Sequence, residues 1–214
     1  MQATLVDKIL ARASGQATVT PGDIITANLS LLMMHDSGGP RRVAPRLEKL
    51  GAKVWDPSKI VVVSDHFVPA VDIESAEILA LTRRWARDAG VQHYDMQGIC
   101  HVVLQENGHV QPGMFCLGGD SHSCSGGAFG AYMIGVGATD ITGALVTGQT
   151  WLKVPQSARM QWDGCLADGV SAKDIMLFLC AELGMGNEGV VFEYCGQAIA
   201  AMPMAERMVL CNMA

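Results

Sequence analysis

Two short acid–imidazole sequences, Asp65-His66 and Asp120-Ser121-His122, are the residues best suited to chemistry in this 214-residue chain. A third histidine, His101, lies between them in the sequence. Histidine titrates near neutral pH, and a neighbouring carboxylate can fix its tautomer and raise its basicity. The pattern is therefore typical of proton transfer to or from a substrate hydroxyl. A single Asp-His pair is more often a structural hydrogen bond, so this interpretation requires that the three groups converge.

The segments that precede the two acid–imidazole sequences predict where they lie. Lys59 to Ser64 is a β-branched run that ends directly at Asp65, and Met114 to Leu117 is an apolar run that leads through two glycines to Asp120. Each sequence is therefore predicted to follow a strand. Open α/β sheets bind ligands beyond the carboxyl ends of their strands, so both groups are expected at one edge of a sheet.

The rest of the chain alternates between strand and helix patterns. This alternation predicts an α/β fold with a largely parallel sheet. Helix 73–89 is expected to bury Ile73, Ala76, Ala80 and Trp85 and to end at Gly90. The glycine-rich stretch 126–148 predicts close-packed helices or backbone near a ligand. Three further helices are predicted: one at 4–13, one after the loop 35–40 with Val43, Leu47 and Leu50 on one face, and one at 175–183 that follows a Ser171–Asp174 capping box. Strands are predicted at 24–33 and 189–195.

Composition excludes several classes of partner. The net charge is −6 and the basic residues form no cluster longer than a pair, which argues against binding to nucleic acid or to an anionic membrane. No segment reaches the roughly 18 apolar residues that a membrane span needs, and the N-terminus lacks the apolar middle of a signal peptide. A cytoplasmic location is expected. Seven cysteines at irregular spacing, without any C-x-x-C, indicate reduced thiols that mostly fill the core.

Three other kinds of site fit the sequence less well than acid/base chemistry does. A mononuclear metal site could use His66, His101 and His122, but neither H-x-H nor H-x-x-x-H occurs. Ser121 is a poor candidate nucleophile because G-x-S-x-G is missing, and its hydroxyl is better suited to a substrate carboxylate. Gly135-Val136-Gly137 does not match a dinucleotide fingerprint, since Asp140 occupies the third glycine position and the segment is predicted to be helical. The remaining histidines, His93 and His109, are interpreted as surface or loop residues without a role.

A set of ordered motifs resembles the aconitase superfamily, and within it most closely the large subunits of 3-isopropylmalate dehydratases. The motifs span nearly the whole chain and occur in the family's order. They are Pro21-Gly22-Asp23, His35-Asp36, Ser64-Asp65-His66-Phe67-Val68-Pro69, Gly98-Ile99-Cys100-His101, Pro112-Gly113, Gly119-Asp120-Ser121-His122-Ser123-Cys124, Gly127-Ala128-Phe129-Gly130-Ala131, Glu206-Arg207-Met208 and Cys211-Asn212-Met213-Ala214.

The resemblance implies a fold and an activity. It implies a three-layer, aconitase-like α/β domain at residues 1–157 and the beginning of a second α/β domain at 158–214. The implied enzyme is a hydro-lyase that removes water from a hydroxy acid and adds it back at the neighbouring carbon, with a [4Fe–4S] cluster as Lewis acid. The implied roles are protonation of the departing hydroxyl by the Asp65–His66 pair, a hydroxyl and cluster-water network formed by His101, Asp120 and His122, and substrate contacts by Ser121 and His35, which stands where aconitases carry glutamine.

The chain also departs from the family pattern. The family's cluster ligands, a Cys-Thr-Asn element and a later C-x-x-C pair, are missing, so no residue here is assigned as a metal ligand and Cys100 and Cys124 are ascribed to packing. We expect a truncated or split chain that is inactive alone and that acts with a small swivelling subunit. The alternative is a non-catalytic binding or assembly subunit that kept the fold.

Overall fold

The structure, a computed structural model, describes residues 3–184 and 186–214. Its α-helices and strands alternate along most of the chain. In chain order they are α1 Leu5–Ser14, β1 Ile24–Asn28, β2 Leu31–His35, α2 Pro40–Leu50, β3 Ile60–Ser64, α3 Ile73–Ala89, β4 Gln92–Asp95, α4 Cys100–Glu106, β5 Phe115–Gly118, β6 Tyr132–Gly135, α5 Ala138–Thr147, β7 Gln149–Lys153, β8 Gln156–Gln161, α6 Ala172–Leu183, β9 Val190–Cys195, α7 Gln197–Ala201 and α8 Met204–Asn212. Two 3-10 helices, Pro57–Lys59 and Ser121–Phe129, complete the set in the described residues.

A five-stranded parallel sheet forms the centre of the molecule. Its strand order is β4-β3-β2-β5-β6, and every neighbouring pair is parallel. Strands β2, β3 and β5 are buried at every residue. Continuous apolar strands of this kind are characteristic of parallel sheets that are covered on both faces. The predicted α/β class with a largely parallel sheet is confirmed.

Helices cover the two faces of this sheet. Side chains alternate along each strand, so Leu32 and Val62 face one side and Met33 and Val63 the other. The first side packs against α1, α2 and α5, and the second side packs against α4. The result is three layers, consistent with the aconitase-like domain that the sequence predicts.

Strand order places a crevice at the middle of the sheet. The chain runs from β2 outward through β3 and β4, and then returns to β5 and β6 on the other side of β2. The connections after β2 and β5 therefore leave the sheet in opposite directions. In open α/β sheets this reversal is where ligands bind.

The last quarter of the chain, from β8 onward, forms a smaller unit. Strands β8 and β9 make a parallel pair, and α6 and α8 pack on each other over a core of seven buried residues. Every residue of β9 is only half-buried. This unit contacts the first through α8, which lies along the 3-10 helix Ser121–Phe129. The predicted division after residue 157 falls within β8 and stays a prediction.

Several sequence predictions about elements were wrong. The stretch 24–33 is two strands in different sheets, because β1 pairs with β7 and β2 belongs to the parallel sheet. The stretch 126–148 contains strand β6 between a 3-10 helix and α5, so the prediction of close-packed helices holds only in part, and backbone near a ligand stays a prediction. Leu50 is exposed at the end of α2.

The buried face of α3 also differs from the prediction. Ile73 is 80% exposed and Ala76 is exposed, whereas Ala80 and Trp85 are half-buried. The buried residues are instead Ser75, Ile78, Leu79, Thr82 and Ala86. Two polar residues can be buried there because the Ser75 and Thr82 hydroxyls bond to the helix's own backbone.

Other local predictions are confirmed. Gly90 ends α3 in the left-handed conformation at φ 69°. Ser171 and Asp174 form the predicted capping box at the start of α6. Among the described residues, no helix is both long enough and apolar enough to cross a membrane.

Candidate active site

The predicted site residues lie together at the carboxyl edge of the parallel sheet. Asp65-His66 follows β3, and Asp120-Ser121-His122 follows β5. His35 is the last residue of β2, between those two strands, and His101 lies in the first turn of α4. The structure thus brings all seven predicted residues to the crevice where the strand order reverses.

Asp65 and His66 form a tightly bonded pair. His66 Nδ1 lies 2.6 Å from Asp65 Oδ1, and the backbone amide of Cys100 donates to the other carboxylate oxygen at 2.6 Å. The Asp65 side chain is 6% exposed and the His66 side chain 37%. Because the carboxylate accepts the proton of Nδ1, Nε2 is the nitrogen left to exchange a proton with a ligand.

Asp120 is the point at which the histidines meet. Its Oδ1 accepts hydrogen bonds from His101 Nε2 and from the His122 amide, both at 2.7 Å. Its Oδ2 lies 3.9 Å from the Nε2 atoms of both His35 and His66. Burial raises the pKa of Asp120, but the bonds from His122 and His101 outweigh it, and the net pKa is lowered. Asp120 is therefore an anion held among imidazoles.

His35 is buried with both ring nitrogens occupied. Its Nε2 donates to the Gly119 carbonyl at 2.8 Å, and Nδ1 accepts from the Ser37 hydroxyl at 2.9 Å. The ring stacks on His66 with centroids 4.0 Å apart. Burial and then the proximity of His66 lower the pKa of His35, so it stays neutral. A substrate contact by His35 remains a prediction, and one of its internal bonds must open for it.

Ser121, His122 and His66 are the exposed members of the cluster. The Ser121 hydroxyl lies 3.3 Å from His122 Nδ1. His101, in contrast, is largely covered, with its ring 6.2 Å from that of His122. Solvent therefore has direct access to Ser121, His122 and His66, whereas Asp120 is only 15% exposed.

Two glycines make room for the turn that carries Asp120. Gly118 ends β5 and is paired in register with Gly135, which ends β6. A Cβ atom on Gly118 would overlap the Ser123 hydroxyl, and one on Gly135 would overlap the Asp120 carbonyl. Gly135-Val136-Gly137 therefore begins at the last residue of a strand and precedes α5. The prediction that this segment is helical, which was one argument against a dinucleotide site, was wrong. Asp140 still occupies the third glycine position, and Gly135 serves the Asp120 turn.

Sequence reasoning missed Asp36. Its side chain is fully buried, and its two oxygens accept hydrogen bonds from the amides of His66 at 3.1 Å and Phe67 at 3.0 Å. The available signal was its position directly after His35 at the end of an apolar strand. His93 was also misplaced, because it lies half-buried on β4 and bonds to the Ser64 hydroxyl at 2.9 Å.

Four of the seven thiols, those of Cys100, Cys116, Cys124 and Cys211, are poorly suited to hold an iron–sulfur cluster. Cluster ligation requires deprotonated cysteine. Burial raises the pKa of Cys116 and of Cys211 to about 12, and it raises those of Cys100 and Cys124 as well. The groups close enough to share an ion consist of histidines and aspartates alone, such as His101, Asp120 and His122, whose nitrogen and oxygen atoms lie within 4.8 Å. Hydrogen bonds within the cluster account for that arrangement.

Comparison with known proteins gives the family. The model of the aconitase family (aconitate hydratase) matches residues 7–214. The chain belongs to the aconitase family. Its relatives include the 3-isopropylmalate dehydratase large subunit 1 of Methanopyrus kandleri, 45% identical over 218 residues, which cover 100% of this chain and 52% of the relative. The probable methanogen homoaconitase large subunit of Methanothermobacter thermautotrophicus is 43% identical over 98% of this chain and 51% of its own length.

These relatives confirm the resemblance that the motifs indicate. Another of them, the probable 3-isopropylmalate dehydratase large subunit of Methanosarcina mazei, is 41% identical over 99% of this chain and 51% of its own length. The chain thus spans about half the length of the curated relatives it matches.

Proposed function

We propose that the residues at this sheet edge are the acid/base half of a hydro-lyase site for a hydroxy acid of the isopropylmalate type. The observation that carries the proposal is the geometry of His66. Asp65 holds its Nδ1, and Nε2 lies 3.9 Å from Asp120 Oδ2, at the centre of the cluster. Names of relatives that contain "3-isopropylmalate dehydratase" and "homoaconitase" support the reaction class.

Dehydration requires a proton for the departing hydroxyl. We assign this proton to His66 Nε2, which would turn the hydroxyl into water as the carbon–oxygen bond breaks. Asp65 stabilises the imidazolium form of His66 before transfer and fixes the Nδ1–H tautomer afterwards. On rehydration the same nitrogen takes a proton from water. The group that removes the proton from the neighbouring carbon is not assigned to this chain.

The other site residues would orient the reacting oxygen. Asp120 Oδ1 holds the ring of His101 through its Nε2 and the backbone of His122 through its amide, and the His122 ring Nδ1 lies 3.4 Å from the same oxygen. We propose that this triad binds the hydroxyl and the released water. The exposed Ser121 hydroxyl is suited to donate a hydrogen bond to a substrate carboxylate. His35 is retained as a proposed substrate contact.

The family suggests a [4Fe–4S] cluster, which would act as a Lewis acid on the substrate hydroxyl. We propose that its ligands are not supplied by the residues described here, because the sequence has no C-x-x-C and because four of its seven thiols have raised pKa values. The words "large subunit" in the names of relatives support a small-subunit partner. A cytoplasmic location is part of the same proposal.

Replacement of His66 tests the acid role. In a complete enzyme that contains these residues, His66→Ala is expected to lower kcat by about 10²- to 10⁴-fold, as for loss of an acid/base group. His109→Ala is the matched control, because His109 bonds to the Tyr94 hydroxyl outside the site. A near-normal kcat for His66→Ala would remove His66 from this role.

A second candidate function is a non-catalytic binding or assembly subunit, favoured by the missing thiolate set. The proposed hydro-lyase requires a cluster whose ligands lie outside the residues described here. Capture of this chain's partners, followed by iron and sulfide analysis, separates the two functions. Stoichiometric cluster binding and isopropylmalate turnover by this chain alone would contradict the proposal that its residues lack the cluster ligands.

A further inference from the structure

We infer that the His35-Asp36 pair at the end of β2 is a positioning device that sets the separation of His66 from Asp120. Neither residue needs to touch the reacting atoms for this purpose. The inference deepens the proposed function and rests on it for its catalytic consequence. Its structural content can be tested without turnover.

Strand order gives the pair access to both halves of the site. Strand β2 lies between β3 and β5 in the sheet. The residues that end β2 therefore lie between the loop that carries Asp65-His66 and the turn that carries Asp120. No other strand of this sheet lies next to both β3 and β5.

Asp36 holds the loop after β3. Each of its oxygens accepts one of two consecutive amides, those of His66 and Phe67, and its side chain has no exposure to solvent. Hydrogen bonds to an ionised acceptor are about twice as strong as neutral ones. The carboxylate therefore fixes the backbone from which the His66 ring projects. An asparagine could accept one amide but would present its own N–H groups to the other.

His35 holds the turn after β5. Its Nε2 donates to the carbonyl of Gly119, the residue directly before Asp120. The same ring stacks on His66, with an interplanar angle of 14°. One dipeptide thus contacts the backbone of His66, the ring of His66 and the turn of Asp120. The 3.9 Å separation of His66 Nε2 from Asp120 Oδ2 follows from these three contacts.

A purely structural role would stabilise the loop without affecting the His66 ring. The deciding measurements are therefore backbone amide hydrogen exchange and the ¹⁵N chemical shifts of the His66 ring, which report its tautomer. Both can be made by NMR on the full chain. The variants are Asp36→Asn and His35→Gln, and the control is Asp56→Asn. Asp56 also accepts a backbone amide, that of Ser58, at an exposed 3-10 helix distant from the site.

Asp36→Asn is expected to speed exchange of the His66 and Phe67 amides by about 10-fold or more, because a charged acceptor is lost. The Nδ1–H tautomer of His66 should lose population as the ring moves from Asp65. His35→Gln keeps a donor for Gly119 but removes the stacked ring, so the His66 ring shifts should change while Phe67 exchange stays within about 3-fold. Asp56→Asn should change neither quantity at His66.

Unchanged exchange at both amides in Asp36→Asn, or unchanged His66 ring shifts in both variants, would overturn the inference. If Asp36→Asn does not fold, the His66 ring shifts in His35→Gln decide. In a complete enzyme Asp36→Asn should lower kcat more than it changes KM, and a normal kcat despite a displaced His66 ring would refute the catalytic consequence. Failure of the proposed function has a different signature, namely normal kcat in His66→Ala.

Discussion

The parallel sheet and the β8–β9 unit differ in how completely they are covered. Strands β2, β3 and β5 are buried at every residue, whereas all six residues of β9 are half-buried. On α6, Leu177 and Phe178 are both more than half exposed. The first region therefore has the tightly packed scaffold that a precise site needs, and the second has apolar surface without a neighbour among the described residues.

The chemistry follows the same division. All six histidines lie at or before His122, and none lies in the β8–β9 unit. The two regions meet through the turn that carries the site, because Asn212 of α8 donates to the Ser125 hydroxyl at 2.9 Å. The comparison places all the candidate site residues in the sheet region, and it places the second region against one side of the turn.

The largest expected effect is the loss of the central anion. In a complete enzyme, Asp120→Asn should lower kcat by about 10²- to 10³-fold, because preorganised charge at a reacting centre contributes an effect of that size. Glu193→Gln is the matched change in the second region, where Glu193 accepts the Leu5 amide. It should leave kcat within about 2-fold of wild type, because Glu193 contacts none of the candidate site residues. Steady-state kinetics measures both variants, and an equal loss of kcat in the two would contradict the difference between the regions.

Next in size is the cost of an identical cavity in each core. Leu117→Ala in β5 should lower the free energy of unfolding by about 3–5 kcal/mol, because the sheet core cannot collapse around the hole. Leu179→Ala in α6 should cost about 2 kcal/mol, since its smaller core can adjust. Urea unfolding of both variants measures the difference, and a larger cost in α6 would contradict it.

Mild acid should destabilise the sheet region first. Burial lowers the pKa of His35, His93 and His109 below the usual 6.5, so the unfolded chain binds protons that the folded chain does not. The contribution of these histidines to the free energy of unfolding is therefore fully present above pH 6.5 and is lost as the pH decreases below it. Thermal unfolding between pH 7.5 and 5 should show this slope, and His35→Gln should reduce it. A slope that is unchanged in His35→Gln would exclude His35 as a source.

The smallest expected effect is on the open face of α6. Phe178→Ser should change the free energy of unfolding by less than about 0.5 kcal/mol, because the side chain already contacts solvent. Chemical denaturation measures this change, with the Leu179→Ala variant on the buried face as comparison. A cost near that of Leu179→Ala would mean that the α6 surface is covered in solution.

The parts of the site that directly follow a recognisable strand could be predicted from the sequence. β3 and β5 are apolar runs that stop at polar residues, so the positions of Asp65 and Asp120 followed from local pattern. β6 was missed because it is four residues long and is bounded by glycines that the structure requires for close packing. Asp36 was missed for another reason. Its position at the end of an apolar strand was a local signal, but its contacts with the loop after β3 depend on strand order, which local pattern does not contain.

The same distinction holds for packing. The pattern of α3 predicted a buried Ile73, which lies exposed in the first turn of the helix. It did not predict the burial of Ser75 and Thr82, whose hydroxyls donate to nearby backbone carbonyls. A hydrophobicity pattern does not show that a polar side chain can be buried because it hydrogen-bonds to the backbone of its own helix. Gly90 and the Ser171–Asp174 box were predicted because caps depend on neighbouring residues only.

The glycines at the ends of β5 and β6 set a limit on how this site can evolve. Gly118 and Gly135 carry no functional group, yet an added methyl group at either would displace the turn of Asp120. Drift to alanine at such a position would disable the site while every polar residue remained in place. A search of related sequences for lost activity should therefore examine these two glycines as closely as the histidines.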